Sequence, residues 1–179
     1  YSATDHPGAA HEESIYRYPI LPGLLAMLAA IPLGTAEGAL ELGRAKLSET
    51  APWACGALDR RPSPRRWAQA QQAGRGAALL YEATLANVIA TGEQARALDL
   101  AEDGQLALDV ATVTRLAKGA IASLVDGCGS GAFSLDDPLQ RFHRDVTVMA
   151  SHLGNDWDVV AERGARYLLG LGRAPGDPL

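Results

Sequence analysis

Residues 129–152 read Gly-Ser-Gly-Ala-Phe-Ser-Leu-Asp-Asp-Pro-Leu-Gln-Arg-Phe-His-Arg-Asp-Val-Thr-Val-Met-Ala-Ser-His. Their spacing predicts a glycine-rich turn feeding a buried helix. Asp137 suits an N-cap and Pro138 the first helical position, where a missing N–H costs nothing. From there Leu139, Phe142, Val146, Met149 and Leu153 recur at helical spacing, predicting one apolar stripe and a helix that reaches about Leu153. Arg141, Asp145 and His152 fall on a neighbouring face, Arg141 and Asp145 one turn apart, Asp145 and His152 two. A cation, a carboxylate and an imidazole beside a Gly-rich turn make this helix the first place to look for chemistry.

Outward from that stretch, the composition favours helices. The chain has 179 residues, suiting one domain with a sizeable core, and is 47% hydrophobic but only 6% aromatic. A chain dominated by alanine, leucine and glycine packs helix on helix more readily than it builds a β-sandwich. A net charge of −5 without a Lys/Arg cluster argues against nucleic acid or an anionic membrane surface as partner. Arg60, Arg61, Arg65 and Arg66 lie among prolines and read as an exposed inter-helix loop. Cys55 and Cys128 lack metal-type spacing, so the expectation is a reduced cytosolic chain with no metal site. The apolar run from Ile20 to Leu33 is interrupted by Pro22, Gly23 and Pro32 and reads as too short to span a bilayer.

In chain order, residues 1–18 show no periodicity and read as a linker or the tail of a missing β-domain, with His6 and His11 as surface residues. The absence of an initiator methionine suggests a piece of something larger. A first helix is expected from Ile20 to about Ser48, kinked or bounded at Pro32, with Gly34, Ala36, Gly38, Ala39 and Gly43 permitting close approach. Residues 49–64 read as a loop with Trp53 plugging a gap. A second helix spans about Pro64 to Thr91, ended by Gly92, with Trp67, Ala70, Gly74, Ala77, Tyr81, Thr84 and Val88 inward. A third runs from near Asp103 to Asp126 with Gly127 as its stop. After the opening helix, Asp156 caps a last one to Leu171, with Tyr167 and Leu168 inward. The expected fold is all-α: an up-down bundle of four long helices plus a short fifth over residues 19–172, followed by a disordered tail at 173–179.

Three segments carry a resemblance to a known family. They are Pro32-Leu33-Gly34 followed by Ala36, Gly38 and Ala39; Gly127 to Ala132; and Pro138-Leu139-Gln140-Arg141 with Arg144-Asp145. The last is close to a Pro-x-x-Arg-x-x-Arg-Asp pattern. From Ile20 onward the chain resembles the C-terminal helical domain of the acyl-CoA dehydrogenase superfamily. That resemblance implies a glycine turn, Gly129-Ser130-Gly131, approaching a flavin, often that of a neighbouring subunit.

Two departures point to a branch. Dehydrogenases have an Arg-x-x-Phe-Gly motif whose arginine would fall near Thr50, and it is missing. They also use a glutamate as general base, at the place of His152-Leu153 in most and of Leu24 in a minority; neither position is a carboxylate here. An imidazole there resembles the flavin-dependent monooxygenase branch, the oxygenase components of two-component aromatic hydroxylases. The resemblance implies reduced flavin (FMN or FAD) from a separate flavin reductase, a small organic substrate, a homotetramer and His152 in a catalytic role. A neutral imidazole can pass a proton near pH 7. His152 can equally be a cation-favouring residue at a helix C-terminus, and Arg141 with Asp145 a structural intrahelical pair. An acyl-CoA dehydrogenase-like oxidoreductase and a non-catalytic helical assembly module are the alternatives.

Overall fold

The computed structural model describes residues 10, 11, 16, 20–48 and 64–175, the side chains of 21 and 47 excepted. Among these described residues five α-helices follow in order: α1 (Ile20–Ser48), α2 (Pro64–Glu93), α3 (Leu100–Cys128), α4 (Pro138–Ala150) and α5 (Trp157–Leu168), with a 3₁₀ turn at Gly129–Phe133 between α3 and α4. Among the described residues there is no strand. The expected all-α bundle is thus present, but α4, at 13 residues, is far shorter than α1 to α3.

α3 is the axis of the bundle and packs against all four other helices. Its stripe of Leu106, Val110, Val113, Ala117, Ala120 and Leu124 is buried throughout. Two core clusters divide along it. One gathers Ala36, Ala39, Ile121, Leu124, Leu139 and Val146. The other gathers Leu25, Leu33, Val88, Leu106 and Val110.

Helix limits differ from the sequence reading where capping overrides composition. α3 begins three residues early because Asp99 and Glu102 form a reciprocal capping box: Glu102 N–H donates to Asp99 (2.8 Å) and Asp99 N–H to Glu102 (3.0 Å). Gly127 does not stop α3; Gly129 does, at φ +66°. Gly92 lies inside α2. Pro32 neither ends nor divides α1, because its ring is fully buried and packing outweighs the lost donor. The unbroken segment Pro22–Lys46 is therefore long and apolar enough to cross a membrane by length and composition, contrary to the reading of a broken run. It lies instead against α2, α3 and α4.

α4 ends at Ala150, leaving Leu153 outside the stripe and exposed, and Leu168 faces solvent while Tyr167 is buried. Arg65 and Arg66 start α2 rather than a loop. The expectations for Cys55, Trp53, Thr50, Arg60, Arg61 and His6, and for most of segments 1–18 and 49–64, lie outside the described residues, as does the end of the tail. His11 is exposed, stacked on Tyr16 at 4.6 Å.

Glycines set the closest approaches. A methyl group at Gly164 would lie 2.5 Å from Leu108 Cγ and 3.0 Å from the Gly104 carbonyl oxygen. At Gly34 it would meet nothing within 4 Å, so that expected contact glycine is simply exposed. Gly164→Ala should therefore destabilise the protein by about 1–3 kcal/mol through overpacking. Gly34→Ala should stabilise it by roughly 0.5–1 kcal/mol through helix propensity. Thermal unfolding of the two variants should move Tm in opposite directions.

Candidate functional site

α4 is fixed at both ends and along its length. At its start Lys46 of α1 reaches both Asp137 oxygens at 2.7 Å, while Leu139 N–H caps onto Asp137 Oδ1 at 2.9 Å. Burial alone would raise the Asp137 carboxyl, but the Lys46 ammonium and the Leu139 amide outweigh it and hold the group below the ordinary carboxylate range. Phe142 lies against Gly38, where a methyl group would sit 3.1 Å from the ring. Further along, Thr35 Oγ1, which donates to the Ile31 carbonyl at 2.8 Å, lies 3.8 Å from Met149 Sδ. α4 therefore runs antiparallel to α1.

The glycine turn sits at the start of this arrangement. Gly129 N–H is taken by the Val125 carbonyl, and Ser134 N–H donates to the Gly131 carbonyl at 3.1 Å. Ala132 is buried beneath it. In front of Gly129 and Gly131 nothing lies within 4 Å of where a Cβ would stand, and Ser130 is exposed. The backbone here is open to a group approaching from outside, which suits a cofactor edge.

His152 lies beyond the other end of α4, in the six-residue connection to α5. A 13-residue helix is about 20 Å long, so His152 and the Gly-Ser-Gly turn are not brought to one point within this chain. His152 N–H donates to the Met149 carbonyl (3.2 Å), and its own carbonyl accepts from Asn155 N–H (2.7 Å) and Asp156 N–H (2.8 Å). The ring is exposed, with Nδ1 accepting from Gly154 N–H at 3.2 Å.

The connection is seated on α1. A methyl group at Gly154 would lie 3.2 Å from Leu25 Cδ2 and 3.5 Å from Leu28 Cδ1. The loop that carries His152 is thus seated on α1 at Leu25 and Leu28. On α1, Ile20, Leu24, Met27 and Ile31 are 58%, 48%, 65% and 52% exposed and follow one helical line, an apolar face uncovered in this chain. On the far side of the connection, Arg115 lies over the Trp157 ring at 3.8 Å and ties the start of α5 to α3.

Other expected site partners resolve differently. Asp145 pairs with Arg144, through Nη2 at 2.9 Å and Nε at 3.0 Å, and not with Arg141. Such an exposed pair adds little stability. It does not reach His152, which is instead held by Gly154 and Asn155. Nothing in the sequence separates Asn155 from an ordinary turn residue, and its burial is visible only in the fold. His143 is half-buried, edge-on to the exposed Phe133 at 5.7 Å. Cys128 is a buried free thiol pushed up by that burial. A separate cleft of about 370 Å³ lies on the α2–α3 hairpin, lined by Thr84, Asn87, Thr91, Gln105 and Asp109 among others. None of the expected site residues lines it.

The family described as "Acyl-CoA dehydrogenase, C-terminal domain" matches residues 26–157. A pigment production hydroxylase from a Rhodococcus strain is 26% identical over 171 residues, which is 94% of this chain and 43% of that protein. Among solved structures, XiaF from Streptomyces sp., in complex with FADH2 and glycerol, matches with a TM-score of 0.80 at 21% identity, covering 98% of this chain and 44% of that one. The 3-HSA hydroxylase from Rhodococcus sp. RHA1 matches at 0.78 and 21%, covering 91% and 42%. The HsaA monooxygenase from M. tuberculosis matches at 0.78 and 19%, covering 93% and 43%. The chain spans less than half the length of each of these proteins.

The depressed Asp137 carboxylate gives α4 a pH signature. Its contribution is complete above the unfolded carboxylate range, near pH 4, and fades as pH falls through the lower folded value. Asp137→Ala should cost about 1 kcal/mol at neutral pH by loss of the cap. In urea titrations the gap between wild type and variant should narrow below about pH 4.

Proposed function

The chain belongs to the acyl-CoA dehydrogenase C-terminal domain family, and from that premise we propose that it is the helical C-terminal domain of a flavin-dependent monooxygenase. In this reading the whole protein hydroxylates an aromatic or similar small organic substrate with O2 and reduced FMN or FAD, delivered by a separate flavin reductase. It works as a homotetramer in the cytoplasm. The observation that supports the reading is the seating of the His152 loop on α1 at Leu25 and Leu28, next in sequence to Leu24. Neither of the two places where the superfamily resemblance puts a dehydrogenase base holds a carboxylate.

Removal of an α-proton from an acyl thioester needs a base at one of those places, and two leucine-rich turns with an imidazole offer none of ordinary carboxylate type. Leu24, Met27 and Ile31 instead present an apolar wall, which suits an aromatic ring and excludes water from the reacting atoms. His152 adds one polar group to that wall and holds or moves a proton at the substrate. The flavin, when bound, supplies the oxygen-activating chemistry, and the protein supplies position and dryness. The open Gly129 and Gly131 backbone accommodates a flavin edge without steric conflict. Because the turn and His152 stand about a helix length apart, the flavin at the turn is a neighbouring subunit's. The names of the similar proteins, a hydroxylase, a monooxygenase and a complex with FADH2, agree with this assignment.

The test uses the full-length protein with a flavin reductase and a panel of phenols. His152→Ala should lower kcat/KM by about 10²–10⁴-fold, the usual worth of general acid–base help, with unchanged oligomeric state by light scattering. Unchanged turnover would leave a packing module. Release of an enoyl thioester from an acyl-CoA would establish a dehydrogenase instead.

A further inference from the structure

The 151–156 connection bears on which ring nitrogen of His152 carries the proton. Nδ1 accepts the Gly154 N–H at 3.2 Å. A nitrogen that accepts a hydrogen bond has its lone pair free, so in the neutral ring the proton sits on Nε2. The acceptor contact survives only if Gly154 stays where it is. Gly154 faces Leu25 and Leu28 of α1: an added methyl group would be tight against Leu25 Cδ2 at 3.2 Å and in ordinary contact with Leu28 Cδ1 at 3.5 Å.

Asn155 holds the same turn from beneath. It is 4% exposed, and its amide donates to the Met149 carbonyl at 3.3 Å, closing the last turn of α4. Its backbone N–H binds the His152 carbonyl at 2.7 Å. One buried residue, through its side chain to Met149 and its backbone to His152, therefore ties the end of α4 to the residue that carries the imidazole. Its Oδ1 is buried with no partner among the described residues, a cost that a mere solvent-facing turn would not carry.

We propose that Gly154 and Asn155 are positioning residues that hold His152 as the Nε2–H tautomer, so that the ring meets its substrate as a hydrogen-bond donor rather than as a proton acceptor. This rests on His152 belonging to the active site. The group it recognises is an oxygen lone pair, best met by a hydroxyaromatic bound as its oxyanion. A base would need Nε2 bare, which requires breaking the Gly154 contact and moving the proton to Nδ1.

The test is long-range ¹H–¹⁵N correlation on ring-labelled histidine in the full-length protein at alkaline pH, with His152→Ala assigning the signal. The expected result is an Nε2–H excess about fivefold beyond that of an unconstrained histidyl peptide, the fold-change of one ordinary hydrogen bond. Asn155→Ala should remove that excess and lower kcat/KM about tenfold, as loss of positioning does, without changing far-ultraviolet helicity. His152→Gln, which retains an N–H near the Nε2 position, should recover at least tenfold of the turnover lost in His152→Ala. A dominant Nδ1–H form, or a Gln variant as inactive as Ala, overturns the donor assignment while leaving the monooxygenase reading intact. An Nε2–H signal in a protein whose His152→Ala variant turns over normally does the reverse.

Discussion

Close approach to α3 is the constraint from which the rest of the molecule follows. Every other helix lies against it, and a chain with so few aromatic side chains cannot fill wide gaps between helices. The helices must instead come near enough for alanines and glycines to touch. At the α3–α5 crossing Gly104 and Gly164 leave room for Tyr167 and Leu108, and at the α1–α3 crossing Gly43 leaves room for Leu124. Many short contacts at native density substitute for a few large ones. The same arrangement makes the framework intolerant of added volume, and so geometrically exact at its edges.

That exactness reaches the site through α1 and α4. Lys46 and Asp137 set one end of the pair, Gly38 under Phe142 sets its middle, and Gly154 on Leu25 and Leu28 sets the other end. The short connection to α5 is then held between two anchored points, the end of α4 and the Trp157 ring under Arg115. An exposed loop histidine would ordinarily sample many orientations. Here both neighbours of its ring and backbone are fixed by buried groups.

Much of this was legible in the sequence because it depends on periodicity and capping. The α2 and α3 stripes, the Asp137 and Asp156 caps and the inward Tyr167 all follow from local spacing. What was not legible depends on tertiary packing. Pro32 reads as a break until its ring is seen buried among neighbours. Leu153 and Leu168 continue a helical pattern past the point where the helix ends or turns its face outward. Arg141 and Asp145 have ideal spacing, yet an adjacent arginine takes the carboxylate, since surface ion pairs are decided by small energies. Asn155 gave no signal at all, because a buried amide between glycine and aspartate looks like any turn.

The seating of the loop on α1 also bears on the absence of a carboxylate at both positions. The resemblance places a dehydrogenase carboxylate either at position 152 or at position 24, and the fold seats the loop that carries the first on the helix that carries the second. Removing both leaves leucine and methionine side chains with one imidazole among them. A carboxylate in such surroundings would lose its hydration and need a compensating partner, whereas a neutral imidazole gives up much less on being covered. An apolar wall bearing a single neutral donor can be closed over by substrate and cofactor at small cost. Closure of that kind would keep water from the groups it covers.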